Sequence, residues 1–158
     1  MFVLKTLRIT TLLALMVGSQ AHAQEVRHAT ADEFSRLMVT SMKNEAARKH
    51  PAMATCVNKM GDSALSDIVQ SVMAGTVPAA DIETLDAFFG SSLGARWTDN
   101  ILLAAETGVA PSGAFTQDEA DQIKRIISMP SYLKLEEATE FTEPTIRKAV
   151  MKALDPCQ

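Results

Sequence analysis

The sequence predicts an all-α domain, a small bundle of five to seven helices assembled from helical hairpins. Three observations lead there. Apolar residues recur at spacings of three and four from Phe34 to Leu154, helix start and stop signals fall between these runs, and no convincing run alternates apolar and polar residues as a half-buried strand would. The stretch from Ala80 to Trp97 sits at the centre of this plan, because it holds two of the six Phe and the only Trp.

The chain opens on an address. Lys5 and Arg8 form a positive region, Leu7 and Ile9 through Val17 an apolar one, and Gly18-Ser19-Gln20-Ala21-His22-Ala23 a small-residue stretch ending Ala-x-Ala. This is the pattern of a secretory signal peptide, residues 1–23, removed after Ala23. The apolar stretch is half the ~20 residues a membrane-crossing helix needs, so no stable membrane insertion is expected. No Cys stands at the cleavage site to carry a lipid. The expected location is the periplasm, with residues 24–158 as a single helical domain and 24–29 as a polar, flexible N-terminus.

Charge narrows the partners. Fifteen basic against 19 acidic side chains give −4, and loss of Lys5 and Arg8 with the signal takes the balance to −6. A chain this acidic repels nucleic acid and anionic lipid surfaces, so neither is expected as a partner. Cys56 and Cys157 are the only cysteines. An even count in an oxidising compartment predicts a disulfide that pins the C-terminal tail to the N-terminal part of the fold.

Taken in order, Thr30-Ala31-Asp32-Glu33 reads as a capping box opening a helix over 31–49, with Phe34, Leu37, Met38 and Met42 on its apolar stripe. His50-Pro51 ends it and starts the next, in which Met53, Cys56, Val57 and Met60 share a face. Gly61-Asp62-Ser63 is a break, with Asp62 or Ser63 as the cap of a helix carrying Leu65, Ile68, Val69, Val72 and Met73 and stopping at Gly75. Ile82, Leu85, Phe88 and Phe89 line the following helix. Gly90-Ser91-Ser92 turns it into another, which sends Leu93, Trp97, Ile101, Leu102 and Ala105 to the core before ending at Gly108. After the loop 109–113, Thr116-Gln117-Asp118-Glu119 is a second capping box. It precedes Ile123, Ile126 and Ile127, a turn at Ser128-Met129-Pro130, then Tyr132, Leu133, Leu135, Ala138 and Phe141. Pro144 restarts a last helix through Ile146, Val150 and Leu154. Shifted by 38 residues, the Ala80–Trp97 pattern falls on 118–135, which predicts two hairpins packed as a pseudo-repeat or reflects the pattern every short helical hairpin shares.

The turn Phe88-Phe89-Gly90-Ser91-Ser92-Leu93-Gly94-Ala95-Arg96, behind a signal peptide and an upstream helix, resembles a family of secreted bacterial helical proteins, a domain of unknown function marked by a Phe-Tyr-x-Ser-Pro-x-Gly-x-Lys-like turn. Phe88, Ser91 and Gly94 match that pattern, while Phe89, Ser92 and Arg96 replace its Tyr, Pro and Lys. The resemblance implies an all-helical periplasmic domain and brings no catalytic residue with it.

Few side chains suggest chemistry. His50, Met53, Cys56 and Met60 present the soft ligands a copper(I) site takes, but Met is also a flexible core filler and Cys56 is expected in the disulfide. No metal or cofactor is therefore expected. His28 and His50 stand in no nucleophile motif, and Glu136, Glu137, Glu140 and Glu143 read as a solvated face. There is no Gly-rich phosphate loop and no CxxC pair, so no catalytic residue is expected and the protein reads as not an enzyme. Arg96 and Trp97, the residue types enriched at binding hot spots, are the candidate contact residues if Trp97 is partly exposed, while a lone Trp filling the core is the favoured reading. The expected function is that of an exported, non-enzymatic binding or interaction protein of the cell envelope, its partner an envelope protein or a small ligand. The alternatives are a periplasmic copper-handling protein and an inhibitor or immunity protein against a secreted enzyme.

Overall fold

Proline and glycine punctuate the chain, and the helices fall between them. The computed structural model describes residues 27–109, 111 and 113–157, so the expected signal peptide and residues 24–26 lie outside the described residues. The helices are α1 (Ala29–Lys49), α2 (Pro51–Val57), α3 (Ser66–Thr76), α4 (Ala79–Phe89), α5 (Ser92–Thr107), α6 (Gln117–Ile127), α7 (Pro130–Ala138) and α8 (Pro144–Leu154), followed by a 3-10 turn at Asp155–Cys157. The fold is all-α, with no strand among the described residues. The eight α-helices among the described residues exceed the five to seven expected; at Pro51, Pro130 and Pro144, breaks already read in the sequence, the proline takes the first turn of a separate helix.

The long helix α1 is the axis, packed against α2, α3, α4 and α5. Its apolar stripe delivers Ala31, Phe34, Met38 and Val39 into one core with Val69 and Met73 of α3, Leu85, Phe88 and Phe89 of α4, and Leu135 of α7. Aromatic rings form the centre of that core. Phe34 meets Phe89 and Tyr132 edge-on at 5.7 and 5.8 Å, and Phe89 meets Trp97 at 5.9 Å. Such edge-to-face contacts add to the area they bury.

Local signals are reproduced where both partners are near in sequence. Thr116 and Glu119 form the reciprocal capping box of α6. Ser91 caps α5 by accepting from the Gly94 N–H, and Gly108 ends α5 in the left-handed conformation. Elsewhere the fold differs from the reading. α1 begins at Ala29, with His28 at its N-cap and no cap from Thr30. Neither Asp62 nor Ser63 caps α3. Instead the Ser35 hydroxyl donates to the Asp62 carbonyl at 2.7 Å and accepts from the Leu65 N–H at 3.0 Å, fastening the 61–65 link to α1. Gly75 is inside α3 with an ordinary helical φ, and the helix ends at Thr76 because the chain must extend into Pro78. The last turns of α5 project past the core, so Ile101 and Ala105 are exposed, as is Leu133 on α7.

Candidate functional site

α1 outruns the aromatic core, and its C-terminal half needs other cover. The backbone of His50 leaves helical space at φ −135°, ψ 60°, and Pro51 starts α2 at once, so α2 folds back along the end of α1. α8 arrives from the far end of the sequence, anchored by the fully buried Ile146. The Cys56–Cys157 disulfide, with Cα atoms 5.5 Å apart, ties the turn after α8 to α2. The three helices do not close completely. They leave a cleft of about 280 Å³.

The walls of the cleft are apolar. Met42 and Ala46 come from α1, Met53 and Val57 from α2, Val150 and Leu154 from α8, and Phe141 from the link before α8. Val150 and Leu154 are one helical turn apart and so share a face. Phe141 is among the most exposed large apolar side chains, and the cleft is the reason it has a partly covered place to lie. Ser41, Glu45 and His50 complete the lining, which turns almost no polar surface toward the cleft. Glu45 bonds Lys49 at 2.7 Å and Arg48 at 3.3 Å, and the Lys49 hydrogen bond above all holds its carboxyl below the usual carboxylate range.

The residues singled out from the sequence are divided by the fold. His50 and Met53 do line one cavity, joined by Met42. Cys56 is bonded to Cys157 and offers no thiol, and Met60 packs on the core away from the cleft. Among the described residues no group of three or more His, Cys, Asp and Glu side chains is placed to hold a metal. His28, at the opposite end of α1 and so about 30 Å away along the helix axis, pairs with Asp86. Glu136, Glu137, Glu140 and Glu143 are exposed.

Trp97 lies in the core, the favoured of its two expected places, and so is not a surface contact residue. It is 8% exposed, ringed by Phe88, Phe89 and Tyr132. Arg96 beside it is half exposed and engaged within the chain. Its guanidinium pairs with Glu119 and lies 5.6 Å over the Phe115 ring, tying α5 to the start of α6. The Thr116 N–H, followed by Arg96, holds the Glu119 carboxyl below its ordinary value.

No family model, curated protein or solved structure matches the chain. Its functional reading therefore rests on the cleft. Among the described residues no helix is long and apolar enough to cross a membrane.

Proposed function

We propose that the chain is an exported, non-enzymatic binding protein of the cell envelope, working in the periplasm and holding its ligand in the cleft between α1, α2 and α8. The observation that carries this reading is the cleft itself. It is open, close to the volume range of small-molecule sites and apolar in its walls, as such sites predominantly are. The signal-like residues 1–23, and the resemblance of the turn at Phe88 to Arg96 to a family of secreted helical proteins, support the export half. An inhibitor or immunity role would draw on an acidic concave surface, and this one is apolar. The same reading takes α4–α5 and α6–α7 as a pseudo-repeat that serves as scaffold. Its support is that Ala79–Phe89 and Gln117–Ile127, and the starts of α5 and α7 at Ser92 and Pro130, coincide at a shift of 38.

The test is binding of a neutral apolar dye, N-phenyl-1-naphthylamine, to the mature, disulfide-bonded protein. Fluorescence enhancement in the wild type, lost in Leu154→Glu with the helical circular dichroism unchanged, is the expected result. Absence of dye binding by the wild type overturns the reading. Intact mass of protein taken from the envelope should lack residues 1–23.

A second reading, copper(I) handling, draws on the convergence of Met42, His50 and Met53 on this cleft. It predicts tight copper(I) uptake that Met53→Ala weakens by tenfold or so. Failure of the protein to take copper(I) from a weak chelator removes it.

A further inference from the structure

We infer that the ligand is an amphiphile with one hydrocarbon chain and an anionic head group, a carboxylate or a phosphate, lying with its chain in the cleft and its head beside Arg147. The inference rests on the reading of the cleft as the binding site.

The walls select the tail. A peptide entering the cleft would bring an N–H and a C=O with each residue, and the apolar walls offer them almost no partner. A hydrocarbon chain brings none. The volume is nearly twice that of a 150 Å³ cavity that holds benzene, enough for a chain of several methylenes. Two of the wall residues, Met42 and Met53, have the unbranched, adaptable side chains that follow a flexible chain.

The lip selects the head. Arg147 is three residues before Val150 and seven before Leu154, so helical periodicity sets it on the solvent side of the same face. It is exposed and makes no ion pair among the described residues. Met151, half exposed, stands between Arg147 and Leu154 on that face and extends the apolar floor toward the charge. Across the mouth, the carboxylate of Glu45 is already paired with Lys49 and Arg48 and leaves no free negative charge for a cationic head. What is left without a partner on this face of α8, among the described residues, is the guanidinium of Arg147. A cationic head would be repelled there, and an anionic one finds an unpaired guanidinium. The neighbouring cations Lys148 and Lys152 face a different groove beside Ile68, which makes Arg147 the discriminating residue.

Displacement of N-phenyl-1-naphthylamine by a matched series tests this, each member below its micelle concentration: dodecanoate, dodecyl phosphate, dodecyltrimethylammonium and dodecyl maltoside. The two anions should displace the dye at about fivefold lower concentration than the other two, as one partly exposed ion pair allows. Which anion is the better displacer separates carboxylate from phosphate. With each displacement referred to that variant's own dye affinity, Arg147→Glu should abolish the preference and Lys148→Glu should preserve it. Equal displacement by all four, or a preference that survives Arg147→Glu, overturns the inference with the binding site intact. A wild type that takes no dye overturns the site itself.

Discussion

The carboxylate of Asp86, on α4, caps the N-terminus of α1. One of its oxygens accepts from both the Thr30 N–H at 3.0 Å and the Thr30 hydroxyl at 2.7 Å, while the other meets the His28 ring. The cap that α1 lacks in its own sequence is supplied from 56 residues away. Asp86→Ala should destabilise the fold by about 2–3 kcal/mol, since it removes a helix cap and leaves the fully buried Thr30 hydroxyl without its acceptor. Urea unfolding measures the loss. A double-mutant cycle with Thr30→Val should return a coupling of about 1 kcal/mol, and additive losses would show that Asp86 acts elsewhere.

That cap marks the boundary of what the sequence makes legible. Thr116 and Glu119 satisfy each other within one turn, so their box can be read directly. Thr30 and Glu33 have the same spacing, but Asp86 claims the Thr, which no local pattern announces, and Arg36 engages the Glu as an i,i+3 pair. The cleft divides in the same way. His50 and Met53 form a recognisable face because they are three residues apart. The opposing wall of Val150 and Leu154 reads only as the buried stripe of a last helix until the fold brings it over. Trp97 belongs to neither case, since a lone Trp beside an Arg has the composition of a contact surface and of a core alike, and only burial decides.

Two glycines should respond in opposite directions to alanine. A Cβ on Gly94 would lie 2.2 Å from the Phe88 carbonyl oxygen and 2.9 Å from the Phe89 Cα, which are backbone atoms of the preceding helix and cannot step aside. Gly94→Ala should cost about 3 kcal/mol or more, because the α4–α5 turn must open to admit it. A Cβ on Gly75 meets nothing within 4 Å, and its φ is not positive. Gly75→Ala should gain about 0.5–1 kcal/mol by removing a flexible residue from a helix. Denaturant midpoints of the two variants check both signs.

Thr98 is fully buried on α5 and its hydroxyl has no hydrogen-bond partner among the described residues. Thr98→Val keeps the branched shape and removes the unpaired group, so it should raise stability by about 1 kcal/mol. A loss of stability on thermal unfolding would show that the hydroxyl is satisfied in solution.

Tyr132 gives the alkaline limb of stability a specific source. Burial, with the Glu136 carboxylate one turn on as the lesser cause, pushes its phenol well above the ordinary value of 10.0. In the unfolded chain the phenol ionises near that ordinary value, whereas the folded chain keeps its proton. Above about pH 10 the unfolded state therefore binds fewer protons, and stability falls as pH rises, by at most about 1.4 kcal/mol per pH unit from this group. Lysines titrate in the same range, so the measurement is the difference between wild type and Tyr132→Phe. Melting temperatures of the two should follow each other up to about pH 10 and then diverge, the wild type falling faster.

The disulfide links stability to the cleft. Cys56 and Cys157 are 101 residues apart, and closing a loop of that length restricts the unfolded chain enough to stabilise the fold by roughly 4–5 kcal/mol on the chain-entropy account. Its position adds a local effect. α8 enters the core through Ile146, with Val150 and Ala153 only partly buried against it, and its C-terminal end is held to α2 through the 3-10 turn carrying Cys157. Replacing both cysteines by Ser should lower the melting temperature by about 10 °C or more. Below that temperature, amide exchange should accelerate along α8 first, while α4 and α5 keep the protection of the aromatic core. Because Val150 and Leu154 form one wall of the cleft, affinity for the neutral dye should fall in the same variant. If α8 amides exchange together with those of α4 and α5, the cleft wall is fastened by packing and the disulfide acts on global stability alone.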